Sequence, residues 1–565
     1  MNPINKNANL LYIGNDPAKA PQVHPSYLTY RHVNPVIHAM KTALNKDEIE
    51  NITEGFRRSD FSQEALIADY LRGEIPKHNV IKDEHYEKAL NHTRLAFKPE
   101  HTYRPVSFPD LRYYPWTIST SAEAPYTTSK YWKSYVKIKY EMNEVDNERL
   151  TFHNLYNEIF RHNREKIHRI KDGIYTDRNG EDLKYWNQAH ARSHLVTKDE
   201  PDKIRMVYGV PKLLLMTEAM FLWPLVNDLV NRDSPMLWGY ETLKGGWYSI
   251  YNWMTRTSPT CATYLALDWK GFDKRAQFTI IDDIHDVIRS YMSFEDGYMP
   301  TFDYPESETN PERITNLWDW MRDAVKHTPD VLPNGDIYVR QHAGIASGYF
   351  QTQLLDSMYN NLMLLTVLSR MGINISKIKM KVQGDDSIIG LIELIPEAAH
   401  PSFMATFSYY ATEYFGAVLN VKKSHMSNQL NGLPLLGFTN IMGIPSRDRN
   451  ELLASLLRPE RKSDEAKLMA RAVGIAYANC GYHPEIYRIC ENIYRYLQSL
   501  GFSPNAQGLP HNVLALQDWF ELLNCNDTLE FPTYFETICR LTETPTRSRT
   551  QTERLWPTTH FISKF

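Results

Sequence analysis

The strongest constraint on how this chain folds is an acidic tip set between two apolar runs. Lysine and apolar residues alternate from Lys377 to Val382, break at Gln383-Gly384-Asp385-Asp386, and resume as Ser387-Ile388-Ile389-Gly390-Leu391-Ile392. Period-two alternation around a short polar break is the pattern of a β hairpin, so two carboxylates stand at the closed end of two strands. Gly384 suits a turn that needs positive φ or close backbone approach. Taken alone, such a tip reads as an ordinary surface turn, because Gly and Asp are common turn residues.

Two upstream features change that reading. Residues 261–267 form an apolar run that predicts a buried strand ending at Asp268, with helical spacing over 274–292 behind it. Pro333-Asn334-Gly335-Asp336 signals a hairpin, and the small-residue loop 343–348 opens a long helix through Arg370. Carboxylates that converge from separate strands can hold two divalent cations about 3.5 to 4 Å apart, as nucleotidyl transfer requires. Hard cations favour such oxygen donors. Asp268, Asp385 and Asp386 are therefore the candidate metal-binding acids.

At 565 residues, 42% hydrophobic, the chain is long enough for several subdomains around a shared cleft. A net charge of −4 neither advertises nor excludes nucleic-acid binding, because basic residues can be concentrated in one channel. Five cysteines without a CxxC pair suggest neither a disulfide framework nor a zinc site. The longest apolar stretch, 213–226, contains Thr217, Glu218 and Pro224 and reads as too short and interrupted to cross a bilayer, so no membrane is expected. Residues up to about Pro25 read as irregular, and a Pro- and Tyr-rich segment from about 99 to 126 is expected to wrap over a surface. The helical run 151–171 gathers Arg161, Arg164, Lys166, Arg169 and Lys171.

Together these motifs resemble the palm polymerases of RNA viruses, most closely the partitivirus and picobirnavirus group, over roughly residues 118–440. Asp268 and Asp273 resemble that family's motif A. The stretch from Ser347-Gly348 through Thr352 to Asn361 resembles motif B, and Gly384-Asp385-Asp386 resembles motif C. The resemblance implies that Asp268 and Asp385 bind metal, with Asp386 assisting, and that Asp273, Ser347, Gly348, Thr352, Asp356 and Asn361 surround the nucleotide. Many relatives carry an asparagine where Asp356 stands, so Asp273 and Asp356 are expected to share a pocket as two acids.

Thr197 to Val207 is similar to motif F, whose Lys198, Lys203 and Arg205 are expected to grip the triphosphate. Arg clamps phosphate oxygens bidentately, and Lys adds a point charge. Residues 120–126 look like motif G at the template entrance, with Ser121, Pro125 and Tyr126 as candidates, although Glu123 stands where a glycine is common. Asn420-Val421-Lys422-Lys423-Ser424 is similar to motif D. Its catalytic lysine is expected at Lys423, with Lys422 the alternative. Residues 433–438 resemble motif E.

The expected architecture is α+β, a right-hand palm polymerase with a closed fingers–thumb arrangement and an antiparallel palm sheet backed by helices. Residues 1–110 would bridge fingers and thumb, 111–260 form fingers, 261–292 palm, 293–339 a fingers insertion, 340–440 palm, and 441–565 the thumb and C-terminal segment. The implied activity is RNA-dependent RNA synthesis, started without a primer, using Mg²⁺ or Mn²⁺. Implied partners are RNA template and product, nucleoside triphosphates and a viral capsid protein, with the enzyme a monomer in the virion interior or host cytoplasm. A reverse transcriptase or DNA polymerase, and a non-catalytic capsid-associated RNA-binding protein, are the rival readings.

Other residues carry weaker expectations. Asp282-Asp283 reads as a solvated helix face. Arg458, Arg461 and Lys462 read as solvated, or as part of a product channel. His85, His153 and His285 lack partners at ligand spacing. Trp556, Phe561 and Phe565 either pack against the thumb or offer a stacking platform for initiation.

Overall fold

The structure, a computed structural model, describes residues 8–21, 33–60, 62–306, 310–460, 463–509, 529–544, 547 and 549–562. Its organising element is a four-stranded antiparallel sheet ordered His425–Ser427, Thr263–Leu267, Asp386–Leu391, Lys379–Gln383. The expected hairpin is its second half, with Asp386 opposite Gln383 and Ser387 opposite both Val382 and Leu267.

Both faces of this sheet are covered. Leu265, Leu267, Ile389 and Leu391 join one hydrophobic core, whereas Tyr264, Ala266 and Ile388 join another. Successive side chains of a strand point to opposite faces, so a strand between two cores must be apolar throughout. All five residues of Thr263–Leu267 are accordingly buried. The first core is threaded by the helix Thr352–Arg370, buried without a break from Leu354 to Ser369.

The helix Lys212–Asn231 also crosses this core. At 20 residues it outruns the apolar stretch seen in the sequence and is long and apolar enough to span a membrane, yet 83% of its most apolar window is buried within the protein. It is thus built as a core helix of this fold. The second core joins helices Arg449–Leu457, Glu465–Ala478 and Pro484–Ser499 to helices Val33–Met40 and Lys46–Gly55.

A second sheet runs Leu10–Asn15, Asp336–Arg340, Asp330–Val331, Asn187–Ser193, Ile204–Gly209. The first of these strands corrects the irregular reading of the N-terminal residues. Its partner lies more than 300 positions away, Leu10 against Arg340, and local pattern cannot report such a pairing. Inside the sheet Arg340 and Asp330 form a buried ion pair at 2.7 Å. Asp330 also accepts from Tyr70 Oη at 2.9 Å and Asn187 Nδ2 at 3.0 Å, which supplies the partners a buried carboxylate needs.

Three further expectations change. The Pro- and Tyr-rich segment runs into the interior, with Tyr103, Val106, Leu111 and Ala122 buried. Asp282 and Asp283 do not form a solvated face: Asp282 pairs with Lys326 at 2.5 Å, and Asp283 pairs with Lys82 at 2.6 Å and accepts from Tyr86 Oη. Trp556 and Phe561 are each 3% exposed and stack at 4.0 Å, with Trp223 at 5.3 and 5.5 Å. They close against the helix Lys212–Asn231, so they pack into the first core and do not stand free as a platform.

His285 is buried against Gln351 Oε1 at 2.7 Å, and Arg458 donates to the Thr53 carbonyl. Phe565, Arg461, Lys462 and Cys525 lie outside the described residues; the other four cysteines are unpaired.

Glu218 ties the two long helices of the first core together. Its carboxylate accepts from Phe350 N at 3.1 Å, Gln351 N at 3.4 Å and Gln351 Nε2 at 2.9 Å, just before the helix Thr352–Arg370 begins. Burial pushes its pKa up to about 8, against the opposing pull of these donors. A raised carboxyl pKa gives stability that is full below the unfolded value and lost as pH rises through the folded one. Glu218→Gln should therefore flatten the fall in melting temperature between pH 5 and pH 8. An unchanged slope would show that Glu218 does not titrate there.

Candidate active site

The acids meet where the two central strands of the antiparallel sheet end. Ser387 pairs with Leu267, so the next residues outward, Asp386 and Asp268, leave the sheet side by side, with Asp385 at the hairpin tip. Gly384 takes φ +62°, the left-handed value that closes the turn and that L side chains disfavour.

The backbone around each acid is tied down. Asn420 donates from its amide to the Asp268 carbonyl at 2.8 Å and from Nδ2 to Asp268 Oδ2 at 2.6 Å, while Ser424 Oγ accepts from Asp268 N at 3.1 Å. On the other side, Asn360 Nδ2 donates to the carbonyls of Gly384 and Asp385 at 3.0 and 3.1 Å. Ser357 Oγ accepts from Gly384 N at 2.8 Å. The long helix therefore grips the hairpin tip through residues three apart, which share one helix face.

Like charges at close quarters raise one another's pKa. Asp386 faces the cleft, and the surrounding protein together with Asp385 and Asp268 pushes it up to about 7. Asp385 is raised by burial and by Asp268. Asp273 rises to about 6 through burial and the charge of Asp385. Asp356, wholly buried beneath them, is raised well above the carboxylate range by burial, Asp273 and Asp385. Lys203 and Arg205 oppose this, pulling both Asp385 and Asp386 down.

A cavity of 710 Å³ opens over these groups. Its walls include Lys203, Arg205, Asp268, Asp273, Ser347, Asp385, Asp386, Asn420 and Lys423. Oxygen-only carboxylate donors on its floor fit hard divalent cations. As they stand, no three acids among the described residues gather tightly enough to form a closed ligand set.

The loop 343–348 is fastened to both sides. Ile345 N donates to the Asp273 carbonyl at 2.8 Å, and Tyr208 N to the Ser347 carbonyl at 3.0 Å. A Cβ on Gly348 would lie 2.4 Å from the Tyr208 carbonyl oxygen, so only glycine allows this loop to press on the strand Ile204–Gly209. Thr352 Oγ1 donates to the Ala346 carbonyl at 2.9 Å and steadies the loop from below.

Some expected residues fall elsewhere. Lys198 is exposed and outside the cavity wall, its amide bonded to the Gly55 carbonyl. Asn361 is buried and accepts from Thr93 Oγ1 at 2.9 Å, turned away from the acids; its neighbour Asn360 reaches the tip instead. Lys422 does not line the cavity, whereas Lys423 does.

In the loop 120–126, Ser121 Oγ accepts from Glu123 N, and Tyr126 is only 2% exposed, so its ring supports the loop and cannot meet a ligand directly. Glu123 adopts φ +59°, a left-handed conformation that a glycine would take without strain. Its carboxylate lies under Gly209, where a Cβ would be 2.2 Å from Oε2. Asn360, Ser357, Asn420 and Ser424 were missed as site residues. Only the spacing of Ser357 and Asn360 after Thr352 could have hinted at the first two.

A sheet that presents paired acids at a hairpin tip, with a basic strand across a cleft, is the working surface of a palm-type polymerase. The chain belongs to the viral RNA-dependent RNA polymerase family, whose model it matches over residues 96–493. It is 34% identical over 561 residues to the RNA-directed RNA polymerase of White clover cryptic virus 1 (isolate Boccardo/2004), covering 92% of this chain and 90% of that one. It is 29% identical over 452 residues to the RNA-directed RNA polymerase of Atkinsonella hypoxylon virus (isolate 2H), covering 71% and 65%. The rival readings, a DNA-making polymerase and a non-catalytic RNA-binding protein, find no support among these relatives.

The grip on the tip gives a paired test. Asn360→Ala should lower kcat about tenfold or more, as expected when a small misplacement enters a reacting geometry. Asn361→Ala should chiefly lower the melting temperature. Equal effects of the two on kcat would refute the assignment of Asn360 to the tip.

Proposed function

We propose that this polymerase joins nucleotides by attack of a 3′-hydroxyl on the α-phosphate of a bound triphosphate, at the acids Asp268 and Asp385. The observation that carries this reading is the side-by-side exit of Asp268 and Asp386 from paired strands, with Asp385 at the adjoining tip. Polymerases of this family generally use divalent metals. Asp268 and Asp385 would hold them, with Asp386 assisting. Mg²⁺, or Mn²⁺ in its place, would activate the attacking hydroxyl and offset charge on the leaving pyrophosphate.

The remaining roles belong to the protein's own groups. Lys203 and Arg205 reach across the cavity to the triphosphate, and their positive charge draws phosphate toward the acids. Lys198, exposed outside the wall, would meet only a phosphate at the cavity mouth. Lys423 is the candidate proton donor to the departing pyrophosphate, favoured over Lys422 by its place in the wall. Asp273, with Asp356 beneath it, would test the ribose 2′-hydroxyl. A shared proton between two buried acids leaves one able to donate and the other to accept. Ser347 lines the cavity beside them, and Gly348 and Thr352 would act through the loop they hold in place. Ser121 and Pro125, supported by Tyr126, would guide the template.

The division into fingers, palm and thumb belongs to the same reading. Residues 261–292 and 340–440 supply the palm, 111–260 and 293–339 the fingers, 441–565 the thumb. Residues 1–110 would close fingers onto thumb, since Leu10–Asn15 joins one sheet while Lys46–Gly55 packs beside Arg449–Leu457. The enzyme would act as a monomer, starting RNA without a primer, with a capsid protein as partner in the virion or host cytoplasm.

Asp385→Asn should cut incorporation of ribonucleotides on a single-stranded template by about a hundredfold or more while RNA affinity stays near wild type. Chelating the divalent cation should do the same to the wild type. Wild-type-like synthesis by the variant would defeat the assignment.

A further inference from the structure

Beyond the cavity, the helix Lys130–Glu141 follows directly on the 120–126 loop and carries a surface that the catalytic reading does not use. Its inner side is anchored: Val136 is fully buried, and the Trp132 ring lies 5.4 Å from both Tyr126 and His162. Its outer side is bare. Tyr131 is 66% exposed, and Ile138 and Met142 continue its stripe at spacings of seven and four residues.

Beside that stripe run Lys130, Lys133 and Lys137, also exposed. Among the described residues neither Lys130 nor Lys133 meets a carboxylate; Lys137 touches Glu141 at 3.9 Å. Arg161, exposed on the neighbouring helix, stands 3.4 Å from His162 and so extends the basic area past Trp132. The acids Glu144, Asp146 and Glu148 all fall beyond the helix's far end. Positive charge therefore collects at the end nearest the 120–126 loop, where the helix dipole adds to it.

Tyr131 is also held in place. Its ring stacks parallel to Tyr135 at 6.2 Å and 16°, and Tyr135 Oη is fixed by donating to Glu158 Oε1 at 2.7 Å. A backed ring with a free outer face, flanked by unpaired lysines, matches the alternation of bases and phosphates along an unpaired strand.

We propose that this helix face is a landing surface for single-stranded RNA on its way to the cavity, with Tyr131 stacking on a base and Lys130, Lys133 and Arg161 on phosphates. The proposal rests on the polymerase reading and on the 120–126 loop standing at the template entrance.

The test uses the full chain and two labelled single-stranded RNAs, one short enough to end inside the cavity and one long enough to cross the helix. Lys130→Ala with Lys133→Ala should reduce the log–log salt slope for the long RNA by about 1.4, from two phosphates at about 0.7 each. Tyr131→Ala should weaken the long RNA about fivefold, with Tyr131→Phe close to wild type. In incorporation assays the ratio of template KM for long over short RNA should rise, with kcat unchanged.

Long-RNA affinity and salt slope both at wild-type values in these variants would overturn the proposal and leave the face to a protein partner. A failure of the polymerase reading would look different: the wild type would incorporate nothing on the short template, whatever the long RNA's affinity.

Discussion

Everything in this structure answers to the cost of gathering carboxylates at one end of a sheet. Asp268, Asp385 and Asp386 repel one another, and the raised pKa values of Asp385 and Asp386 register burial together with that repulsion. Within the hairpin, Asp385's own backbone hydrogen bond relieves part of it. Further relief comes from across the cleft, through Arg205 on a different sheet and Lys203 just before its strand, and rigidity comes from behind, through Asn360, Ser357, Asn420 and Ser424. The charges that would bind phosphate thus also make the acid cluster tolerable, so triphosphate grip and acid cluster depend on one another electrostatically.

The same coupling explains the tight seams between elements. The loop 343–348 touches the Asp273 segment on one side and the basic strand on the other, and Gly348 leaves no room for a side chain at the second contact. Glu123 presses on the same strand from beyond, beneath Gly209. A shift of the strand Ile204–Gly209 would therefore reach the loop 343–348 and the loop 120–126 together.

The hairpin, the buried strand before Asp268 and the long helix after the glycine loop were legible in the sequence because each depends on local periodicity. Asp268 and Asp385 stand out for the same reason: each ends an apolar run. Pairings over long separations were not legible. The strand Leu10–Asn15 is recognisable only beside Asp336–Arg340, and the choice of Asn360 over Asn361 depends on which helix face meets the tip. The partner on which Trp556 and Phe561 pack, Trp223, was not legible because it lies far away in the chain. Asp282 and Asp283 looked solvated because Lys326 and Lys82 are distant in the chain.

That aromatic stack has a further consequence. The indole of Trp223 donates to the Leu555 carbonyl, so a helix at the heart of the first core is sealed by a segment 332 positions further along the chain. During synthesis this helix keeps one flank bare until that segment has emerged, and the interior around it closes only after that point.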